Sequence, residues 1–340
     1  MSGELPGGAE AGFAPALRDG GEIGGEVPRI SSGAIFTSSL PGGSWGFVAR
    51  PPFDRKNRKM GRPAGVEKGI FVIFKGYIDE SYDKHQRIFT LSCMIGRGKT
   101  FYEMERLWKM RLRAKNKQLE KQGRKVLSRY HAADCNARGG EFHGWEKEER
   151  DEFVLKLFQV FKRIPLHCIA IDMDLDVVCK VFPEYSDDRL KLAYMLLTDF
   201  LLFSIGEDFV RFAGGNIRDD KVTLFHDRTA NGKYDPTILR QFNNTLATPG
   251  FPHAKLFTSI TSLRWQDCML LQPADLVAFE ALRQAQHFHE RRDSRKSFDA
   301  LVGFDAFGVH LQSFRDEEAV LSLRQKAESR RSQYDFSSVV

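Results

Sequence analysis

At 340 residues the chain has room for one large domain or two modest ones, and enough length to bury a sizeable core. Its 42% hydrophobic and 28% charged residues exclude collagen-like, mucin-like and wholly disordered chains. A formal net charge of +6 permits a polyanionic partner without requiring one, and no uninterrupted apolar run of about 18 residues predicts a membrane-spanning helix. The five cysteines (Cys93, Cys135, Cys168, Cys179 and Cys268) are scattered, with no C-x-x-C pair, which argues against structural zinc. With no secretory pattern at the start, the expected setting is reducing and cytoplasmic.

Residues 1–69 hold about half of the 29 glycines, with prolines and serines and no sustained periodicity. Such a segment is expected to be disordered, because it cannot bury enough apolar surface to offset its ordering entropy. It carries a basic run, Arg55, Lys56, Arg58, Lys59 and Arg62, which reads as a solvated linker or as a nucleic-acid arm. A domain is expected over 70–314 and a charged tail over 315–340. Residues 70–79 and about 87–95 are β-branched and aromatic runs joined by a short polar turn, so they predict an antiparallel hairpin. Residues 99–122 form an amphipathic helical pattern with Phe101, Met104, Leu107, Trp108 and Leu112 facing the core. After a polar loop, a helix is expected over 146–162, a strand over 165–173 and a long apolar helix over 189–212. Strand 221–227, helix 234–246, strand 256–263 and helix 267–291 complete the pattern. Strands alternating with helices behind a hairpin predict an α/β fold with a mixed sheet, compatible with a ribonuclease-H-like architecture.

Three carboxylates stand in apolar surroundings: Asp79 and Asp227 at strand ends, and Asp275 within an apolar helix. Carboxylates occupy such places when paired or bound to a cation, and functional groups gather at the carboxyl ends of strands in α/β sheets. Clustered, they would repel one another and favour Mg²⁺ or Mn²⁺. Each has a simpler reading: a turn residue for Asp79 and Asp227, a helix-dipole residue behind Pro273 for Asp275. Glu80 alternates away from Asp79 if the strand continues through it, and remains a candidate at a strand end. Asp172 and Asp174 end the strand at 165–173 and compete for the same role, but with Asp176 nearby the region reads as a solvated acidic loop. His131 and Asp134 share a loop and give only a weak ligand pattern. Gln272 falls on the same helix face as Asp275. No P-loop occurs.

The segments Tyr77-Ile-Asp-Glu-Ser81, His131-Ala-Ala-Asp-Cys135 with Gly140-Glu-Phe-His-Gly-Trp145, Phe225-His-Asp227, and Leu271-Gln-Pro-Ala-Asp-Leu-Val-Ala278 resemble the domain-of-unknown-function 3800 family over roughly residues 70–290. The resemblance implies a ribonuclease-H-like fold and a presumed acidic active site of nuclease type. Asp79, Asp227 and Asp275 match the family's acidic positions. Tyr82 departs from the glycine usual after the opening Asp-Glu-Ser, and Pro273 from the small or polar residue usual in the closing motif.

Two function classes follow. In the first, the chain is a metal-dependent phosphodiesterase on nucleic acid, with Asp79, Asp227 and Asp275 as catalytic and metal-holding residues. Glu80 or Asp134 would complete the shell, and Arg228, Arg264, Gln272 and His131 would contact substrate. In the second, it is an inactive nucleic-acid- or protein-binding module serving a mobile element or a defence system.

Overall fold

The computed structural model describes residues 35–37, 46–48, 73–83, 85, 87–212, 220–303 and 307–332. The hairpin is strands β3 (Ile73–Tyr82) and β4 (Ile88–Arg97), following two short strands, β1 (Ile35–Thr37) and β2 (Gly46–Val48). Helices α1 (Gly98–Lys121), α2 (Ala132–Ala137) and α3 (Lys147–Phe161) lead to β5 (Leu166–Asp174), α4 (Leu175–Val181) and α5 (Arg189–Phe212). Then come β6 (Lys221–Asp227), α6 (Asp235–Ala247), β7 (Phe257–Leu263) and α7 (Leu271–His289). Helix α8 (Lys296–Val302), β8 (Phe307–Phe314) and α9 (Glu317–Ser332) close the described chain. The sheet order is β1-β2-β8-β5-β4-β3-β6-β7. Strand β4 runs antiparallel to both neighbours, whereas β3, β6 and β7 are mutually parallel, as are β5 and β8.

Alternation along the strands divides the core between two faces. Ile78, Leu91, Ile171 and Leu224 pack beneath α5 and α6. Tyr77, Met94 and Cys168 pack beneath α1, α3 and α7. Strand β4 lies central with both faces covered, and only its last residue, Arg97, is exposed. In α1 the buried residues Phe101, Met104, Trp108 and Leu112 recur at helical spacing and leave the charged face to solvent. Gly76 marks a close approach within the sheet: a Cβ there would meet Leu224 Cδ2 at 2.6 Å.

Several elements differ from the expectations. Strand β3 runs on through Glu80 to Tyr82 instead of ending at Asp79. Helix α7 starts at Leu271, so Pro273 is its third residue, where an N–H would have no intrahelical partner in any case. Its first turn holds no acidic residue, which removes the helix-dipole reading of Asp275. Strands β1 and β2 lie inside the segment expected to lack regular structure, and β2 pairs with β8 at the sheet edge. Backbone pairing of this kind does not depend on side-chain composition. The basic run at Arg55–Arg62 lies outside the described residues.

The expected tail beyond residue 314 also needs correction. Asp316 Oδ1 accepts the Ala319 N–H at 2.7 Å, and Ala319 and Val320 are buried against the core that includes α4. The apolar residues of this stretch, Ala319, Val320, Leu321 and Leu323, are outnumbered by the charged and polar residues around them. The competing acids are engaged on this side of the sheet. Asp172 accepts from Ser313 Oγ at 2.7 Å and from Arg315 Nε at 2.8 Å, and Asp174 caps α4 by accepting from the Asp176 N–H at 2.9 Å.

If α9 docks as described, Val320→Ala should lower the unfolding free energy by about 1–3 kcal/mol, because it removes buried methyl groups and leaves a cavity. Urea unfolding measures this. A change within about 0.5 kcal/mol, the range of a surface substitution, would contradict the docking.

Candidate functional site

Strand register positions the first two carboxylates. In the parallel β3–β6 pair, Tyr77 partners Phe225 and Ile78 partners His226, so Asp79 and Asp227 stand one step further along on the same face. The rings of Tyr77 and Phe225 stack beneath them with centroids 5.3 Å apart. The third carboxylate comes from above. Asp79 partners Ser92 across the β3–β4 pair, and the Ser92 hydroxyl donates to the Ala274 carbonyl at 3.4 Å, which lays the start of α7 over this point and brings Asp275 to it. A buried Gln272 fixes the helix: its Oε1 accepts from Trp108 Nε1 at 3.2 Å and from the Tyr130 N–H at 2.9 Å.

Each acid has an oxygen oriented by main chain. Asp79 Oδ1 accepts from the Glu80 N–H at 2.8 Å, Asp227 Oδ1 from the Arg228 N–H at 2.8 Å, and Asp275 Oδ2 from the Ala132 N–H at 2.7 Å. The Trp265 N–H also donates to Asp227. These bonds leave the negative charges uncompensated, and the consequence is electrostatic. Burial raises Asp79 well above the usual carboxylate range, and the charges of Asp275, Glu80 and Asp227 raise it further. Burial pushes Asp275 up to about 6, opposed by His131, the Ala132 N–H and Arg129. Burial also raises Asp227, against the Arg228 N–H, Arg129 and His131.

Other expected site residues lie elsewhere. Because β3 continues, Glu80 faces the α5 side, where its Oε1 accepts from Tyr194 Oη at 2.8 Å. It is pushed up to about 7, chiefly by burial, and Asp227 adds to the rise. It therefore borders the three aspartates from the opposite face and does not stand among them. His131 precedes α2, with Nδ1 2.8 Å from Asp134 Oδ2, and its charge reaches Asp227 and Asp275. Asp134 is half-exposed and touches His131, not the aspartates. The exposed Arg228 side chain lies 3.9 Å from Asp235 Oδ2, and the exposed Arg264 pairs with Asp267 at 2.9 Å. Gln272, expected to contact substrate, is buried with its carbonyl oxygen committed to Trp108 and Tyr130.

Two residues at the site escaped the sequence reading. Arg129 and Trp265 come from loops far apart in the chain, and the Arg129 guanidinium lies 4.3 Å from the Trp265 ring centroid. No local pattern marks a pair that forms only in space. Among the described residues, no three His, Cys, Asp or Glu side chains form a ready-made metal site. The donor set is nonetheless all carboxylate oxygen and self-repelling, which fits a hard divalent cation. Among the described residues no helix is long and apolar enough to cross a membrane. No family model, curated protein or solved structure matches the chain.

The raised carboxylates bind more protons in the native state than in the unfolded chain over the interval where the two differ. Their contribution to stability therefore falls as pH rises, from about pH 4 to about pH 6 for Asp275. Asp275→Asn should match the parent near pH 4 and exceed it at pH 8 by about 1–3 kcal/mol in the absence of metal. Chemical denaturation at the two pH values tests this, and a variant less stable than the parent at pH 8 would contradict the electrostatic account. Separately, Gln272→Leu should cost about 2–5 kcal/mol by stranding two buried donors. A near-neutral result would show that Gln272 does not anchor α7.

Proposed function

We propose that the chain is a metal-dependent nuclease that hydrolyses phosphodiester bonds, on a ribonuclease-H-like fold. The observation that carries the reading is the meeting of Asp79, Asp227 and Asp275, from β3, β6 and α7, at a point where the charges of Asp227 and Asp275 raise the proton affinity of the buried Asp79. Perturbed carboxylates gathered at one point are more often the mark of a working site than of a structural one. A mixed sheet that opens with an antiparallel hairpin, adds parallel strands beside β3 and carries helices on both faces supports the fold assignment. The motifs that resemble the domain-of-unknown-function 3800 family supply Asp79, Asp227, Asp275 and the Ala132 N–H, and so meet at one place.

Asp79, Asp227 and Asp275 would hold Mg²⁺ or Mn²⁺. When bound, the cation would lower the pKa of an attacking water and stabilise the leaving oxygen. The chain's own part is to orient carboxylate oxygens through the main-chain N–H groups of Glu80, Arg228 and Ala132. His131 acts on Asp227 and Asp275, a position from which it would meet a phosphate oxygen. Tyr194 holds Glu80 on the other face, so that of the adjacent acids Asp79 and Glu80 strand β3 presents Asp79 to the reaction side. The alternative is an inactive nucleic-acid-binding module on the same fold.

Incubation with labelled DNA and RNA, with and without Mn²⁺, separates the two. Mn²⁺-dependent cleavage should fall by about a hundredfold or more in Asp79→Asn and Asp275→Asn. Mn²⁺ at 100 times its Kd should stabilise the parent by about 2.7 kcal/mol, and Asp79→Asn should lose most of that gain. Cleavage undiminished in both variants would remove the aspartates from the chemistry, and a protein neither cleaving nor stabilised would leave the binding module.

A further inference from the structure

Beside the three aspartates stands a pair that the hydrolytic reading leaves unused. Arg129 lies in the loop between α1 and α2, and Trp265 in the loop between β7 and α7. Both loops are fixed. Asn116 donates to the Leu127 carbonyl at 2.8 Å and accepts the Leu127 N–H at 2.9 Å, and Glu141 accepts the Ser128 N–H at 2.7 Å. On the other side, the Asp267 and Cys268 N–H groups both donate to the Arg264 carbonyl, at 2.8 and 3.1 Å. Between these anchors the Arg129 guanidinium lies over the Trp265 ring at 4.3 Å. The pair is tied to the carboxylates twice, because the main-chain N–H of Trp265 faces Asp227 and the Arg129 charge acts on Asp227 and Asp275.

Among the described residues Arg129 forms no ion pair with a carboxylate, although its charge acts on Asp227 and Asp275. Both side chains are half-buried, so each keeps surface open to solvent. A cation and an aromatic plane, in contact and fixed at the rim of an acidic site, present two complementary features to a polymer. The guanidinium offers planar donors to a phosphate, and the indole offers a face to a base.

We infer that Arg129 and Trp265 form a nucleotide clamp that selects single-stranded nucleic acid, the guanidinium holding a backbone phosphate and the indole stacking on an unpaired base. The inference rests on the nuclease reading for the position of the site and deepens it by naming the substrate class. A base within a duplex has both faces covered by its neighbours, whereas an unpaired base can turn its face to the indole. Stacking is tolerant of base identity, so the clamp selects strandedness, not sequence.

Fluorescence anisotropy in EDTA tests this without any cleavage. The probes are fluorescein-labelled oligothymidylate, oligouridylate, an abasic deoxy strand of equal length and a mixed-sequence duplex. The full chain should bind both single strands more tightly than the duplex. Trp265→Ala should weaken binding to either single strand by about tenfold or more, and leave binding to the abasic strand unchanged. Trp265→Phe should restore most of the loss, which a merely structural role would not predict. Arg129→Ala should weaken the base-bearing and abasic single strands equally, and make the salt dependence shallower by about one phosphate contact. Equal binding of abasic and base-bearing strands by the parent, or duplex bound more tightly, would overturn the inference. Because metal is absent, failure of cleavage elsewhere does not touch this result, and cleavage restricted to duplex would retain the nuclease reading while removing the clamp.

Discussion

The Asp79 carboxylate stands where β3, β6 and α7 meet, and the arrangement of the functional edge follows from holding it there. It is only 7% exposed, accepts a main-chain N–H, and has Asp227 and Asp275 as charged neighbours. A buried carboxylate in that company resists ionisation unless something supplies positive charge. The surrounding structure keeps it in place regardless. The β3–β6 register sets Asp227 beside it, the stacked Tyr77 and Phe225 rings pack below, and the Ser92–Ala274 contact brings α7 across the top. Gln272 then locks α7 to α1 and to the loop that carries Arg129. A site that stores repulsion in this way is poised for a cation, and it has a stability cost without one.

Strand β3 also separates two chemistries with a single alternation. Asp79 faces the α7 side with the other aspartates. Glu80 faces α5, where Tyr194 donates to it. His226 follows the same rule on β6: it is buried, its Nδ1 is 2.8 Å from the Asp227 carbonyl, and burial lowers its pKa. Neither adjacent polar residue can move to the aspartates without a one-residue slip, which would turn Ile78 and Leu224 out of the core. The sharp division therefore rests on hydrophobic register and not on any bond between the polar groups.

Much of this was legible in the sequence, because the signals are local. The β-branched runs, the helical spacing of Phe101, Met104 and Trp108, and the carboxylates in apolar surroundings each announce themselves within a few residues. Tertiary contacts decided the remainder. The strand run-on through Glu80 depends on pairing with Thr90 and Phe89 through the residues that follow it. Strand β8 earns its place by pairing with β5, and α9 docks through two buried residues in a charged stretch. Gln272 is indistinguishable by sequence from a substrate-facing glutamine, because only the fold brings Trp108 and Tyr130 to it. Arg129 and Trp265 meet across 136 positions of chain, beyond any motif's reach.

The central claim is that a divalent cation replaces protons on these carboxylates. Proton release on adding Mn²⁺ measures that exchange directly, in weak buffer near pH 6, where Asp275 is held about half protonated, with Asp79 also raised by burial and by its charged neighbours. The account predicts saturable release by the parent, less release at pH 8, and a marked loss in Asp79→Asn and Asp275→Asn. Saturable Mn²⁺ binding with no proton release at either pH, or release undiminished in both variants, would contradict it.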